Sequence, residues 1–275
     1  GGSSSFPLWC ASNNNSYNLT YSKMTLLYRI YQLFIALPLI AIATLLTALT
    51  TTIGCTIGNG NFWGYYPGMI WGRVVLALLL LPVKVEGREH LKKGQSYVFV
   101  SNHQGAFDIF LIYGFLGRNF KWMMKHQLRK MPFVGRACAA AHHIFVDKRT
   151  PKKVKETIDH ARSVLQQGMS LMIFPEGARS FTGHMGVFKR GSFNLADELQ
   201  LPIVPITING SFDVMPRTRD MRWVNWHPLK LTIHQPIEPK GQGAENIKAL
   251  LEESYQVVMS GLVKEYQGFV ANPDQ

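Results

Sequence analysis

The sequence predicts an α/β domain in which a central, mostly parallel sheet is flanked by helices, with an N-terminal apolar two-helix membrane motif. Two observations support this prediction. Short apolar runs typical of buried strands alternate with helical patterns, and a long uncharged stretch lies near the N-terminus. Of the 275 residues, 47% are apolar and only 17% are charged, so part of the surface is expected to face something other than water.

The chain is predicted to have three parts. Residues 1–23 are rich in Gly, Ser and Asn and are interpreted as a disordered leader or a remnant of cloning, with Met24 as the native start. Residues 24–83 are predicted to form the membrane-associated two-helix motif. Residues 84–275 are predicted to form the α/β domain that carries the chemistry.

The two-helix motif is predicted from a stretch without charged residues. No Asp, Glu, Lys, Arg or His lies between Arg29 and Arg73, and the run 30–53 is long enough to cross a bilayer, with a kink expected at Pro38. A second apolar segment, about 62–82, begins with aromatic residues that favour the membrane–water interface. Two arrangements fit: a hairpin sunk into one leaflet, or a spanning first helix with the second on the surface. Two core helices of a soluble domain fit less well.

The α/β domain is predicted from strand-like runs separated by helical patterns. Five apolar runs are interpreted as strands: 96–101, 143–146, 169–174, 203–208 and 230–234. The clearest helix covers 151–167, where Thr150 can cap the start and Gly168 can end it.

Charge and cysteine content limit the possible partners. The formal charge of +12 predicts an anionic partner such as nucleic acid, an acidic membrane or a phosphorylated substrate. No zinc-finger, helix-turn-helix or RNA-binding aromatic pattern accompanies the basic residues, so nucleic acid is not expected. The three cysteines are far apart and odd in number, which favours a reducing compartment and no metal site.

The first candidate motif follows the strand at 96–101. His103 and Asp108 are separated by a turn at Gly105, where the chain can reverse, so the carboxylate can reach back and fix the imidazole tautomer. Asp108 in a first helical turn could also simply interact with the helix dipole. The spacing alone says little, because His142 and Asp147 share it. In that extended stretch the two side chains would lie about 16 Å apart and could not touch.

The second candidate motif follows the strand at 169–174. Gly177 lets backbone approach a ligand, Arg179 offers a planar fork for phosphate, and Glu176 could hold a hydroxyl or orient Arg179. A solvated turn is the simpler alternative. Basic residues that could meet an anion are spread over the same region: Lys121, Lys125, Arg129, Lys130, Arg136, Lys148, Arg149, Lys189 and Arg190.

Together these motifs resemble the glycerolipid acyltransferase family, over about residues 84–215. Asn102, His103 and Asp108 match its Asn-His-x4-Asp motif, and Lys125 precedes a Pro-Phe-x-Gly stretch as is typical. Three further motifs match in order: Ile144–Lys148, Phe174–Ser180 and Val204–Ile206. One motif would be weak, whereas four in order are specific.

The resemblance implies an acyltransferase domain that moves a fatty acyl group from acyl-CoA or acyl-carrier protein, without a cofactor or metal. The acceptor would be the free hydroxyl of 1-acylglycerol-3-phosphate (lysophosphatidic acid), giving phosphatidic acid for phospholipid synthesis. The protein would work among membrane lipids, on the cytoplasmic face. The alternatives are another lyso-lipid acceptor (a lyso-amino-acid lipid or a lysophospholipid) and a non-catalytic membrane-binding protein.

The resemblance also implies roles for individual residues. His103 would take the acceptor proton, and Asp108 would orient it. Glu176 and Gly177 would shape the pocket around the glycerol. The acceptor phosphate would be held by Lys125 and Arg179, with Lys148 or Arg149. Two departures, Ala178 for the usual Thr and Lys148 for the usual Arg, fall in the acceptor region and leave acceptor identity open.

Overall fold

The structure, a computed structural model, describes residues 23–147, 149–165, 169–217 and 223–271. In that part of the chain one seven-stranded sheet has the order β1-β7-β6-β2-β5-β3-β4, and neighbouring strands are parallel except for β6 and β7. The strands are β1 (Val83–Glu86), β2 (Val98–Ser101), β3 (Phe120–Lys125), β4 (Ile144–Val146), β5 (Ser170–Ile173), β6 (Ile203–Asn209) and β7 (Leu229–Ile233). The predicted α/β class is confirmed.

The N-terminal motif consists of a long helix, a short one and a third that returns to the sheet. They are α1 (Lys23–Ile57), α2 (Gly60–Trp63) and α3 (Tyr66–Leu78). By length and composition α1 could cross a membrane, and only 11% of its most apolar stretch is buried. Instead of simply kinking at Pro38, α1 continues through it after a π-helical turn at Gln32–Ala36. The two predicted apolar helices are therefore present as α1 and α3, joined by the one-turn helix α2.

The remaining helices cover both faces of the sheet. They are α4 (Phe107–Phe115), α5 (Val134–Ala140), α6 (Pro151–Val164), α7 (Gly191–Leu199), α8 (Ser211–Val214) and α9 (Ala244–Ser260), with 3₁₀ turns at Arg88–His90, His126–Lys130 and Lys264–Tyr266. Helices α3 and α4 share one buried core with the sheet, and α6, α7 and α9 share the other. Each fully buried Leu, Ile or Phe in these cores contributes about 1.5–3 kcal/mol.

A seam of glycines lets α3 lie directly against α4. A Cβ added at Gly72 would stand 2.6 Å from the Phe110 carbonyl oxygen and 2.9 Å from the Gly114 nitrogen. Arg73, which makes this segment a poor spanning helix, donates from Nε to the Gly114 carbonyl oxygen at 2.7 Å. The guanidinium of Arg73 therefore binds the C-terminal end of α4, and the apolar side of α3 packs on the sheet.

All five predicted strands are present, to within two residues at their ends, and the predicted helix begins at Pro151. Thr150 caps it, because the Lys153 amide donates to the Thr150 hydroxyl at 3.3 Å. The predicted stop at Gly168 lies outside the described residues, as does the predicted leader at 1–23 except for Lys23, which begins α1. The sequence reading missed β1 and β3. Lysines interrupt both runs, although Lys121 in β3 is only 1% exposed.

Candidate active site

His103 and Asp108 are in contact at the carboxyl end of β2. His103 Nδ1 lies 2.7 Å from Asp108 Oδ2, and the same oxygen accepts from the Gly105 amide at 2.9 Å. Asp108 is fully buried in the first turn of α4, whereas the His103 side chain is 14% exposed. Since the carboxylate accepts, the Nδ1 proton is fixed there, and Nε2 keeps the lone pair. No described residue hydrogen-bonds to Nε2, so this nitrogen can take a substrate proton.

The position of this pair follows from the topology of the sheet. The chain leaves β2 toward α4 on one face, whereas from β5, the neighbour of β2, it continues to α7 on the other face. In open α/β sheets the crevice between such strands is the usual ligand site. The Asn102 side chain extends the β2–β6 pairing beyond the strand end, exchanging hydrogen bonds of 2.9 and 2.8 Å with the Ile208 backbone.

Glu176 fixes the backbone of the catalytic turn. Its Oε1 accepts from the His103 amide at 2.6 Å, and its Oε2 accepts from the Gly186 amide at 2.7 Å. The Ser180 amide in turn donates to the His103 carbonyl oxygen at 2.8 Å. Burial raises the pKa of the Glu176 carboxyl to about 8, against the effect of the two N–H donors. Glu176 therefore joins the two strand-end turns, and it does not orient Arg179.

Aromatic rings support the imidazole from one side. The His103 ring stacks on Phe174 with centroids 3.9 Å apart and an interplanar angle of 8°, and Phe174 stacks on Trp122 at 5.6 Å. An aromatic face attracts a cation, so the stack favours the imidazolium that forms during proton transfer. Phe174 matches a family motif but was not predicted to contact His103. Its place one register step beyond Ile173, which pairs with Val100, is the signal that could have indicated the contact.

The candidate phosphate ligands differ in availability. Arg179 is half-buried and its guanidinium has no acidic partner among the described residues, while Lys125 is exposed at the end of β3. Arg217, which the sequence reading did not single out, donates to the Arg179 carbonyl oxygen at 2.8 Å. Arg149 is held by Asp147 through contacts of 2.6–3.1 Å, and Lys148 lies outside the described residues.

The structure also describes the surroundings of Gly177, His143 and Asp147. Gly177 has φ +78°, and a Cβ there would stand 3.1 Å from Lys189 Nζ. The Trp122 amide donates to His143 Nδ1 at 3.2 Å, which leaves Nε2 to donate to the Tyr113 hydroxyl at 2.7 Å. Burial first, then neighbouring charges, lowers the pKa of His143 to about 3, so it is a neutral core histidine. Asp147 binds Arg149, and no hydrogen bond joins it to His142 among the described residues.

Known proteins are similar to this chain in sequence and in fold. The family model described as Acyltransferase matches residues 82–209. The chain is 29% identical over 216 residues to the 1-acyl-sn-glycerol-3-phosphate acyltransferase of Cocos nucifera, covering 78% of this chain and 68% of the relative. It is 32% identical over 187 residues to the alpha form from Mus musculus, covering 65% of each protein.

A solved structure has the same architecture. The 1-acyl-sn-glycerophosphate (LPA) acyltransferase PlsC from Thermotoga maritima superposes with a TM-score of 0.69 and 27% identity, over 87% of this chain and 95% of that one. The matched family region contains His103, Asp108, Glu176 and Arg179. Over residues 82–209 the chain matches the acyltransferase family model, and in sequence and fold it is similar to these acyltransferases.

Proposed function

We propose that the protein transfers a fatty acyl group from a thioester donor to the free hydroxyl of 1-acylglycerol-3-phosphate, giving phosphatidic acid. The observation that carries the proposal is the buried Asp108 bound to His103 Nδ1, with Nε2 free at the edge of the sheet. The names of the plant, mouse and bacterial relatives support the acceptor. The chain spans about two thirds of the length of the Cocos nucifera and Mus musculus relatives, so their acceptor is assigned to it only as a proposal.

The reaction needs one base and one thioester. His103 Nε2 takes the proton of the acceptor hydroxyl as its oxygen attacks the thioester carbonyl. Asp108 stabilises the imidazolium while the tetrahedral intermediate forms. The intermediate expels the thiolate, which takes the proton back from Nε2, so an ester and a free thiol leave. Backbone N–H groups at the two strand-end turns are the expected donors to the oxyanion.

The acceptor phosphate is assigned to Arg179 and Lys125, with Arg217 as a further cation beside Arg179. A guanidinium without a carboxylate partner can bind phosphate through two parallel hydrogen bonds. Arg149 is a poorer candidate because its fork is already bound to Asp147. Glu176 fixes the turn that carries His103, and together with Gly177 it is proposed to shape the pocket around the glycerol.

The protein is proposed to work at a membrane, anchored by α1. This helix is apolar, mostly exposed and long enough to cross a bilayer. A lysolipid partitions into the bilayer, so an enzyme anchored there meets its acceptor at the membrane surface. The cytoplasmic face follows from the expected reducing compartment. Acyl-CoA and acyl-carrier protein are both proposed donors.

Ala178 leaves a second class of acceptor possible. Ala178 lacks the hydroxyl usual at this position of the motif, beside Arg179. A lyso-amino-acid lipid or a lysophospholipid with a head group is the alternative acceptor. A non-catalytic lipid-binding protein would have no use for the buried His103–Asp108 pair.

The proposal is tested with the full chain in phospholipid vesicles and labelled acyl-CoA or acyl-carrier protein, against a panel of lyso-lipids. We expect phosphatidic acid from lysophosphatidic acid, and no product with His103→Ala. His160→Ala, which alters an exposed histidine on α6, is the control and should keep its rate. Preference for a different lyso-lipid would select the alternative acceptor, and near-normal transfer by His103→Ala would refute the mechanism.

A further inference from the structure

Three large apolar side chains are exposed in one short loop between β3 and α5. The 126–133 loop opens with the 3₁₀ turn His126–Lys130 and ends at Phe133. Leu128 is 40% exposed, Met131 46% and Phe133 61%. Single exposed apolar residues are ordinary, but three within six residues form a patch that calls for a partner.

The backbone holds the most exposed of these side chains outward. Phe133 has φ +58° and ψ −55°, and the Val134 amide donates to the Pro132 carbonyl oxygen at 2.6 Å. This is the rare, strained form of the γ-turn, and bulky residues seldom adopt it. The loop is also tightly closed, because a Cβ at Gly135 would stand 2.3 Å from the Arg129 carbonyl oxygen. Such strain persists where the surrounding structure imposes it, and it clusters at functional sites.

The loop and its sequence neighbours carry only positive charge. Asp147 and Glu156, which line a cavity with His126 and Arg129, are paired with Arg149 and Lys153. No Asp or Glu lies between Asp108 and Asp147 in the sequence. Four exposed cations stand in or beside the 126–133 loop: Lys125, Arg129, Lys130 and Arg136. Apolar side chains surrounded by cations suit an anionic bilayer surface, where the cations meet lipid phosphates and the apolar groups enter the interface.

The loop also lies beside the proposed membrane anchor. It leads directly into α5, and α5 packs against α1. The two helices border a cavity of about 80 Å³, to which Thr47 and Thr51 contribute from α1, and Val134 and Ala137 from α5. The apolar surface of α1 therefore continues toward the 126–133 loop.

We infer that the 126–133 loop is a second membrane contact, which rests on anionic lipid with Met131 and Phe133 in the interface. The inference builds on the proposed function, since it places Lys125, a proposed phosphate ligand, where the loop leaves the sheet beside the lipid headgroups. A lyso-lipid would then reach the site without leaving the surface. An acidic carrier protein could also meet the cations, but it would not account for three exposed apolar side chains.

The inference is tested by the depth of a fluorophore in the full chain. Phe133→Cys, Leu46→Cys and Lys248→Cys are made singly in a background with the native cysteines replaced, and labelled with a nitrobenzoxadiazole dye. Leu46 is 56% exposed on α1 and reports the anchor, while Lys248 on α9, whose side chain is 67% exposed, is the matched control. The vesicles contain phosphatidylcholine and phosphatidylglycerol, with spin-labelled lipids as quenchers.

We expect the dye at position 133 to be quenched by lipid at least twofold more than the dye at 248. Equal quenching at 133 and 248 would overturn the inference, whether or not position 46 is quenched. A change at 133 on adding acyl-carrier protein, without quenching by lipid, would overturn it in favour of a protein contact. Acyl transfer is assayed on the same samples, so quenching at 133 without transfer would defeat the proposed function alone.

A charge-reversal pair tests the cations independently of any label. Arg129→Glu with Lys130→Glu should reduce binding to anionic vesicles about tenfold, and reduce it little for neutral vesicles. Lys152→Glu with Lys155→Glu reverses two exposed charges on α6 and is the matched control. An equal loss in both pairs would mean that net charge acts without the loop, and would overturn the inference.

Discussion

At the scale of single residues, Asp108 determines how the catalytic imidazole is presented. One of its oxygens accepts from both His103 Nδ1 and the Gly105 amide, so the carboxylate, the ring and the turn are fixed together. The other oxygen is buried without a hydrogen-bond partner in the described structure. The hydrogen bonds of Asp108 therefore go to the His103 ring and to the turn beside it, as expected for a group that sets a tautomer.

Asp108→Asn is expected to lower kcat about 10²- to 10⁴-fold while the KM for the acceptor changes little. The amide removes the negative charge that stabilises the imidazolium and can hold the ring in the wrong tautomer. Steady-state kinetics with labelled acyl-CoA measure the effect. Asp159→Asn, on the exposed side of α6, is the control, and a kcat within threefold of wild type for Asp108→Asn would contradict the assigned role.

Phe174 is expected to assist proton transfer through its ring. Phe174→Leu should lower kcat about 3- to 30-fold, because a stacked aromatic face contributes about 0.5–2 kcal/mol to a neighbouring cation. Phe174→Tyr keeps the face and should retain most of the rate. Measuring kcat and acceptor KM separately distinguishes this from a binding effect, and equal losses in the two variants would exclude the stack as the cause.

The residue scale also shows what a sequence can and cannot reveal. His103 and Asp108 were predicted because a turn joins them and the contact is local. The Glu176 clamp spans 73 residues and the Asn102 bridge spans 106, so only the fold brings these groups together. Arg149 was expected to bind phosphate from its place in a motif, but only the structure shows that Asp147 already holds it.

At the scale of elements, the turns after β2 and β5 behave as one unit because Glu176 binds amides in both. The pKa of Glu176, raised to about 8 by burial, makes this unit sensitive to pH. In the unfolded chain a glutamate has a pKa of about 4.3, so between these two pKa values the folded protein binds more protons than the unfolded one. Stability should therefore fall as pH rises through this window.

The free energy of unfolding is expected to drop by about 1–3 kcal/mol between pH 5.5 and 8.5, with part of the drop due to Glu176. Denaturant unfolding in detergent, followed by tryptophan fluorescence at several pH values, measures it. Glu176→Gln cannot titrate and should give a flatter profile. Parallel profiles for the two proteins would show that Glu176 does not contribute.

The seam between α3 and α4 gives a second prediction at this scale. Gly72→Ala should destabilise the protein by about 1–3 kcal/mol, because the new methyl group would meet the backbone of α4, which cannot easily move. Gly191→Ala, where nothing lies within 4 Å, is the control and should be neutral or slightly stabilising. Thermal unfolding of both variants checks the difference. Equal melting temperatures would mean that the seam relaxes freely.

At the scale of the whole molecule, the two parts predicted from the sequence share one core. Val75 and Leu76 of α3 are buried in the same cluster as Phe99 of the sheet, so the motif is built into the domain. The long apolar helix α1 could be predicted because no charged residue interrupts the sequence between Arg29 and Arg73. β3 could not, since Lys121 interrupts its apolar run although the residue is almost completely buried.

We therefore expect the proposed anchor, α1, to bring the enzyme to its lipid acceptor without contributing to the acyl-transfer step. Leu46→Arg with Leu49→Arg places charges on the exposed side of α1, far along the chain from His103. We expect the rate on lysophosphatidic acid embedded in vesicles to fall about tenfold or more, because two charges oppose insertion by about 5 kcal/mol together. The rate on a short-chain, monomeric acceptor in detergent should remain within a factor of two. The catalytic turn is held by hydrogen bonds to Glu176, in the turn after β5, and to Asp108 in α4, and the substitutions touch neither residue. Comparable losses on both acceptors would instead show that α1 supports the fold of the site itself.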